Sequence, residues 1–173
     1  IRVLIEKGRG LGMALDVTPS DLLRINRIED VGPIADYNKG VPEELSVKEG
    51  DYIIAVNGKS GEAKAKMLAI TLGGVVELEL RRPVSFSITG LDKSKGRLGL
   101  DLTFHPKSVA AYIEKVFPDG LVHAYNDQHP ECQVRSGDLI VAVNGQGGAS
   151  KELVQMIHSG QVLDLEIVRP NDS

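Results

Sequence analysis

Three side chains that can bind zinc lie within ten residues of one another: His123, His129 and Cys132. Imidazole and thiolate groups are common zinc ligands, but a structural site needs four ligands in a closed tetrahedron. The surrounding sequence offers no evident fourth ligand. We therefore predict a polar loop here, with no metal site and no cofactor.

Two further patterns resemble parts of catalytic sites. The tripeptide Gly58-Lys59-Ser60 is similar to the end of a phosphate-binding loop, but that loop needs a glycine where Ile53 stands. Aspartate, histidine and serine residues occur without a context that would activate a nucleophile. The sequence therefore predicts a protein that is not an enzyme.

Composition excludes several classes of protein. The 42% apolar and 25% charged residues are ordinary for a folded domain, and the net charge of −4 argues against a nucleic-acid surface. The longest apolar runs, such as residues 139–143, have five residues and are too short for a membrane span, and the single Cys132 implies no internal disulfide. We expect a soluble, intracellular protein or a piece of a larger one, in an unknown compartment.

An internal repeat defines the organisation of the chain. The sequence GDYIIAVNG at residues 50–58 returns as GDLIVAVNG at residues 137–145, a shift of 87 positions. The same register pairs Leu11-Gly12 with Leu98-Gly99 and Arg82-Pro83 with Arg169-Pro170. We predict two copies of one domain, residues 1–83 and 84–170, followed by a tail at 171–173. Because no flexible linker separates the copies, a fixed relative orientation is expected.

Local patterns predict short strands and two helices in each copy. In the first copy we expect strands at Arg2–Glu6, Met13–Val17, residues 22–28, Tyr52–Val56 and residues 75–80. A short helix is expected at residues 34–37 and a longer one at residues 62–72. The predicted fold class is mainly β with two helices per domain (α+β), a partly open barrel or sandwich.

The motifs of each copy resemble those of PDZ domains. Gly10-Leu11-Gly12-Met13 and Arg97-Leu98-Gly99-Leu100 are similar to the Gly-Leu-Gly-Phe loop of that family, and the repeated GD-x-I-x-x-VNG stretch is similar to its fourth strand and turn. A strand before the loop indicates the eukaryotic-type strand order. The resemblance covers nearly the whole chain.

This resemblance implies a site that captures peptide carboxylates. Glycines without a Cβ let successive N–H groups point into one concavity, and the peptide then adds to the sheet as an antiparallel strand. The implied carboxylate loops consist of Gly10, Leu11, Gly12 and Met13, and of Arg97, Leu98, Gly99 and Leu100. The implied peptide grooves consist of Ala14, Leu15, Ala63, Met67 and Ile70, and of Asp101, Leu102, Ser150, Val154 and Ile157. Arg9, Lys95 and Arg97 could add long-range attraction.

Two departures from the family pattern bear on the ligand. The commonest PDZ class has histidine at the start of the second helix, where Ala63 and Ser150 stand here, so an apolar ligand residue is expected in place of serine or threonine. In addition, Lys66 stands where the family usually has a core alanine.

We therefore expect a tandem PDZ module that binds C-terminal or extended peptides with apolar ends, for scaffolding or assembly. Two alternatives remain open. One is an accessory subunit of a larger complex that docks through outer surfaces and exposed strand edges. The other is the regulatory PDZ region of a protease.

Overall fold

The computed structural model describes residues 1–8, 10–18 and 21–170. It separates into two compact units, one built on Ile1–Pro83 and one on Val84–Arg169. The predicted tail at residues 171–173 lies outside the described residues.

The first unit contains five strands and two helices. These are β1 (Arg2–Glu6), β2 (Met13–Val17), β3 (Leu23–Ile28), α1 (Pro33–Lys39), β4 (Tyr52–Val56), α2 (Ala63–Leu72) and β5 (Val75–Arg81), with a 3-10 helix at Glu43–Leu45.

The second unit repeats the same order. Its elements are β6 (Val84–Asp92), β7 (Leu100–Phe104), β8 (Ala111–Val116), α3 (Leu121–Gln128), β9 (Leu139–Val143), α4 (Ser150–Ser159) and β10 (Val162–Arg169), with 3-10 helices at Lys93–Lys95 and Pro130–Cys132.

Each unit has one antiparallel sheet of five strands. The strand orders are β1-β5-β4-β3-β2 and β6-β10-β9-β8-β7, so β2 and β7 are edge strands that pair on one side only. Neither sheet closes into a barrel within the described residues. The α+β class is thus confirmed, in its open form.

Tight turns after β4 and β9 explain the repeated Asn-Gly pair. Asn57 and Gly58 have φ values of 52° and 73°, and Asn144 and Gly145 have values of 50° and 79°. Positive φ at both central residues is the geometry of a type I′ turn, which favours Asn-Gly. Mutual hydrogen bonds of 3.0 Å between Val56 and Lys59 close the first turn.

Each unit has its own apolar core and a buried carboxylate that holds its last strand. In the second unit, the Arg169 guanidinium donates 2.9 Å and 2.6 Å hydrogen bonds to the two oxygens of Asp138. In the first, Arg82 donates to Asp51 at 3.0 Å and 3.1 Å. These two pairs occupy the same place in the repeat.

Among the described residues, no helix combines the length and apolar character needed to cross a bilayer.

Candidate functional site

The glycine loop before β7 is held by the start of α3. The carbonyl of Leu98 accepts a 3.1 Å hydrogen bond from the N–H of Val122, and the carbonyl of Arg97 accepts one of 2.9 Å from Leu121. In the first unit, the carbonyl of Leu11 accepts a 3.1 Å bond from Ile34 at the start of α1. The loops of both units are therefore anchored through their carbonyl oxygens.

Position 99 requires glycine for two reasons, its backbone conformation and the close approach of neighbouring backbone. Its φ is +79°, and a Cβ built on it would lie 2.5 Å from the Cα of Gly120. At Gly12, with φ +75°, a Cβ would lie 3.1 Å from the carbonyl oxygen of Val31 and 3.4 Å from the Cα of Gly32. Each loop thus depends on one close glycine pair, Gly12–Gly32 in the first unit and Gly99–Gly120 in the second.

The anchored loop leaves backbone donors available. Among the hydrogen bonds of the described residues, none uses the N–H of Leu98 or Gly99 as donor. The bond from Phe117 N to Gly99 O (2.8 Å) makes Leu100 and Val116 a non-hydrogen-bonded pair, so the N–H of Leu100 points away from β8. Three successive N–H groups therefore lie at or beside the open edge of the second sheet.

A groove of about 550 Å³ begins at this loop. It runs between the glycine loop and β7 on one side and the end of α4 on the other. Its lining consists of Lys93, Gly96, Arg97, Leu98, Leu100, Asp101, Leu102, Ile157 and His158. Of the residues predicted for the second loop and groove, the lining includes Arg97, Leu98, Leu100, Asp101, Leu102 and Ile157.

The basic groups near the loop are engaged with neighbouring groups. Lys93 Nζ donates 2.8 Å hydrogen bonds to the carbonyls of Ile157 and His158, and so ties the start of the loop to the last turn of α4. Arg97 forms an ion pair with Asp119, and this hydrogen bond lowers the pKa of the Asp119 carboxyl. Lys7 makes the equivalent bond to the carbonyl of Thr71 in α2.

The corresponding loop of the first unit borders a different cavity. A cavity of about 460 Å³ is lined by Gly10, Leu11, Gly12, Met13, Glu29, Val31, Gly32 and Pro33. Its lining contains no residue of α2, in contrast to the second groove, where α4 contributes two residues. Arg9 lies outside the described residues.

The predicted groove residues of the helices differ in exposure. In α2, Ala63 is fully buried and Ile70 is 9% exposed, whereas Met67 is 40% exposed. In α4, Val154 is half-buried and packs against the core of its unit.

Ser150, which the sequence predicts for the second groove, is held by hydrogen bonds to its neighbours. It is fully buried, its Oγ accepts a 3.2 Å hydrogen bond from the N–H of His105, and its own N–H donates to the carbonyl of Ser108 at 2.8 Å. Because these bonds fix the first residue of α4 to the end of β7 and the loop after it, the side chain belongs to the interior.

The histidines and the cysteine noted in the sequence have local partners. His129 stacks on Tyr125 with ring centroids 3.9 Å apart, and His123 Nδ1 lies 3.4 Å from Asp127 Oδ2. Burial raises the pKa of the Cys132 thiol, and Glu131 adds to this effect. Within the described residues, no three side chains of His, Cys, Asp or Glu are grouped to hold a metal ion.

No protein-family model matches the chain, and no curated protein matches it in sequence. Solved structures do match it. INAD PDZ45 in complex with NG2 peptide is 17% identical, with a TM-score of 0.39 over 100% of this chain and 90% of that one. INAD PDZ45 with NORPA CC-PBM is 16% identical, with a TM-score of 0.41 over 100% and 93% of the two chains.

A PDZ domain from choanoflagellate SHANK1, bound to GIRK3 peptide, is 20% identical with a TM-score of 0.42, over 53% of this chain and 98% of that one. All of these are PDZ structures.

Several residues of the site are absent from the sequence prediction. Gly120 and Gly32 form the close pairs with the loop glycines, and Lys93 and His158 join the groove lining. The sequence did contain a signal for Gly32 and Gly120, because these two glycines are 88 positions apart, only one more than the shift of the repeat. The sequence contained no signal for the role of Lys93, because its hydrogen-bond partners are backbone carbonyls far along the chain.

Proposed function

We propose that this chain is a non-catalytic interaction module that binds the C-terminal peptides of partner proteins by strand addition. The observation that carries this proposal is the arrangement in the second unit. Three N–H groups, those of Leu98, Gly99 and Leu100, belong to the loop at which the groove along the unpaired edge of β7 begins.

The expected binding mode follows from these groups. The terminal carboxylate of a peptide accepts hydrogen bonds from the three loop N–H groups, which needs no positively charged side chain. The rest of the peptide pairs with β7 through backbone hydrogen bonds. Leu98, Leu100 and Ile157 surround the terminal side chain, which favours an apolar residue there.

The first unit shares the anchored glycine loop and the unpaired edge, now of β2. We infer that it binds peptides by the same mechanism. Two peptide sites in one chain are suited to gathering two partner chain ends, which is a scaffolding role.

A pair of matched peptides tests the mechanism. One ends in a free carboxylate and an apolar residue, and the other has the same sequence with a C-terminal amide. We expect micromolar affinity, about −8 kcal/mol, for the acid in fluorescence anisotropy. The amide should lose most of this affinity because the N–H groups lose a charged acceptor.

Equal binding of the acid and amide forms would contradict end capture and leave binding of internal extended segments. Absence of binding by either form, across a random C-terminal peptide library, would contradict the peptide-binding function itself.

A further inference from the structure

The second groove has an asymmetry of charge that bears on which peptides it accepts, provided that it binds peptides as proposed above. Side chains of β7 alternate between two faces of the sheet. Leu100 and Leu102 are half-buried against the core, whereas Asp101 between them is exposed and still lines the groove. Asp101 is therefore a carboxylate on the outer side of the peptide site.

A peptide added beside β7 must follow the same alternation. Directly opposite residues of an antiparallel pair have side chains on the same face of the sheet. With its carboxylate in the glycine loop, a peptide presents its last side chain to Leu98, Leu100 and Ile157. Its penultimate side chain then lies on the opposite face, which is the face of Asp101.

The charge of Asp101 is not neutralised by an ion pair among the described residues. Its cross-strand partner is Lys115, but the Lys115 ammonium lies over the Phe117 ring, 5.0 Å from the ring centroid. Arg97 is paired with Asp119. A second carboxylate, that of Glu114, accepts a 2.9 Å hydrogen bond from the hydroxyl of Thr103, the next residue of β7 on the same face as Asp101.

The first unit has the opposite character at this position. Ala14 is the residue of β2 that matches Asp101 in the repeat, and it is likewise exposed. Its cross-strand partner is Arg27, which is also exposed. The outer face of β2 at this point thus has a cation and lacks the carboxylate that Asp101 places on β7.

We propose that Asp101 is a specificity-determining residue, and that the second groove selects peptides with a basic penultimate residue. This inference rests on the proposed function. The partner of this groove is accordingly a protein whose C-terminus combines an apolar last residue with lysine or arginine before it.

Three acid-terminated peptides test this, identical except for lysine, alanine or glutamate at the penultimate position. The full chain is titrated with each, and amide shifts of Leu98–Leu102 in heteronuclear NMR report binding at the second groove alone. We expect lysine to bind about threefold to fivefold more tightly than alanine, and glutamate more weakly by a similar factor, as for an exposed charge pair. The difference should shrink in roughly 0.5 M salt.

Substitutions at Asp101 connect the effect to this side chain. Asp101→Asn should remove the preference while retaining affinity for the alanine peptide, and Asp101→Lys should reverse it. The matched control is Asp127→Asn, which removes an exposed carboxylate of α3 outside the groove lining. That variant should keep the preference for lysine.

Equal affinities for the three peptides, or a lysine preference that survives Asp101→Asn, would overturn this inference and leave the proposed function standing. Failure of all three peptides to shift the loop amides would instead count against the proposed function.

Discussion

Gly99 and Gly145 have the same backbone conformation and very different surroundings. Both have φ of +79°, a value that L-residues adopt only with strain. A Cβ at Gly145 meets nothing within 4 Å, whereas a Cβ at Gly99 would lie 2.5 Å from the backbone of Gly120. Comparing Gly99 with Gly145 therefore distinguishes the requirement for a positive φ from the requirement for space around the Cα.

Alanine at these two positions should have unequal effects. We expect Gly145→Ala to lower the free energy of unfolding by about 1 kcal/mol, from strain alone. Gly99→Ala adds a clash with backbone that cannot move without displacing the start of α3, and should cost about 3 kcal/mol or more. Urea titration measures both. Similar losses for the two variants would show that the close approach of Gly99 and Gly120 has no energetic weight.

At one position of the repeat, the helices α2 and α4 bury side chains of opposite character, one charged and one apolar. Leu153 of α4 is fully buried in the core of the second unit. The matching residue of α2 is Lys66, which is only 4% exposed. Burial lowers the pKa of the Lys66 ammonium, and the nearby charge of Asp21 opposes this shift. The first unit thus has a buried lysine at the position where the second unit has a leucine.

Lys66→Leu should stabilise the first unit by ~1 kcal/mol, because it removes the cost of burying a charge. A lysine with a pKa lowered on folding binds fewer protons in the folded than in the unfolded chain, between that lowered value and 10.5. In that interval the unfolding free energy of the native sequence should rise with pH, and Lys66→Leu should flatten this dependence. Lys64→Leu is the control, since Lys64 is exposed on the same helix. Loss of stability in Lys66→Leu would contradict this account.

At the level of elements, local patterns carried most of the fold. The predicted bounds of β1, β2 and β4 are those of the structure, because alternation and flanking glycines mark them clearly. The first strand of the second unit, β6 (Val84–Asp92), is instead longer than β1, its counterpart in the repeat. The reason is its pairing with β10, which resumes beyond a bulge between Leu163 and Leu165. Such pairing is decided by a strand far away in the sequence.

The candidate site was predictable only in part, for the same reason. The glycine loop is a local signal, and the repeat showed it twice. The seating of the loop on α3, the bridge from Lys93 to α4 and the burial of Ser150 depend on contacts between distant residues. Composition and periodicity contain no record of these contacts.

At the scale of the whole molecule, each unit has an ion pair at the same place in the repeat, Arg82 with Asp51 in the first and Arg169 with Asp138 in the second. The side chains of Asp51 and Asp138 are 1% and 4% exposed. Asp51 bonds Arg82, which directly follows β5, and Asp138 bonds Arg169, the last residue of β10. Burial raises the pKa of Asp138, and the hydrogen bond from Arg169 opposes this. Arg169 also donates to the carbonyl of Gln133, so the pair ties β10 to the loop before β9.

Because each unit has a separate core and its own ion pair, we propose that residues 1–83 and 84–170 are two domains, and that the second folds alone. The fragment of residues 84–170 should give dispersed NMR spectra and cooperative urea unfolding.

Arg169→Ala in that fragment should lower the unfolding free energy by about 3 kcal/mol, because the Asp138 carboxylate would stay buried without its cation. Asp138→Asn with Arg169→Ala should cost less than the sum of the two single changes, since both remove the same interaction. A fragment that stays unfolded would show that the boundary at Pro83 is not a domain boundary, and additive losses would show that the pair is not coupled.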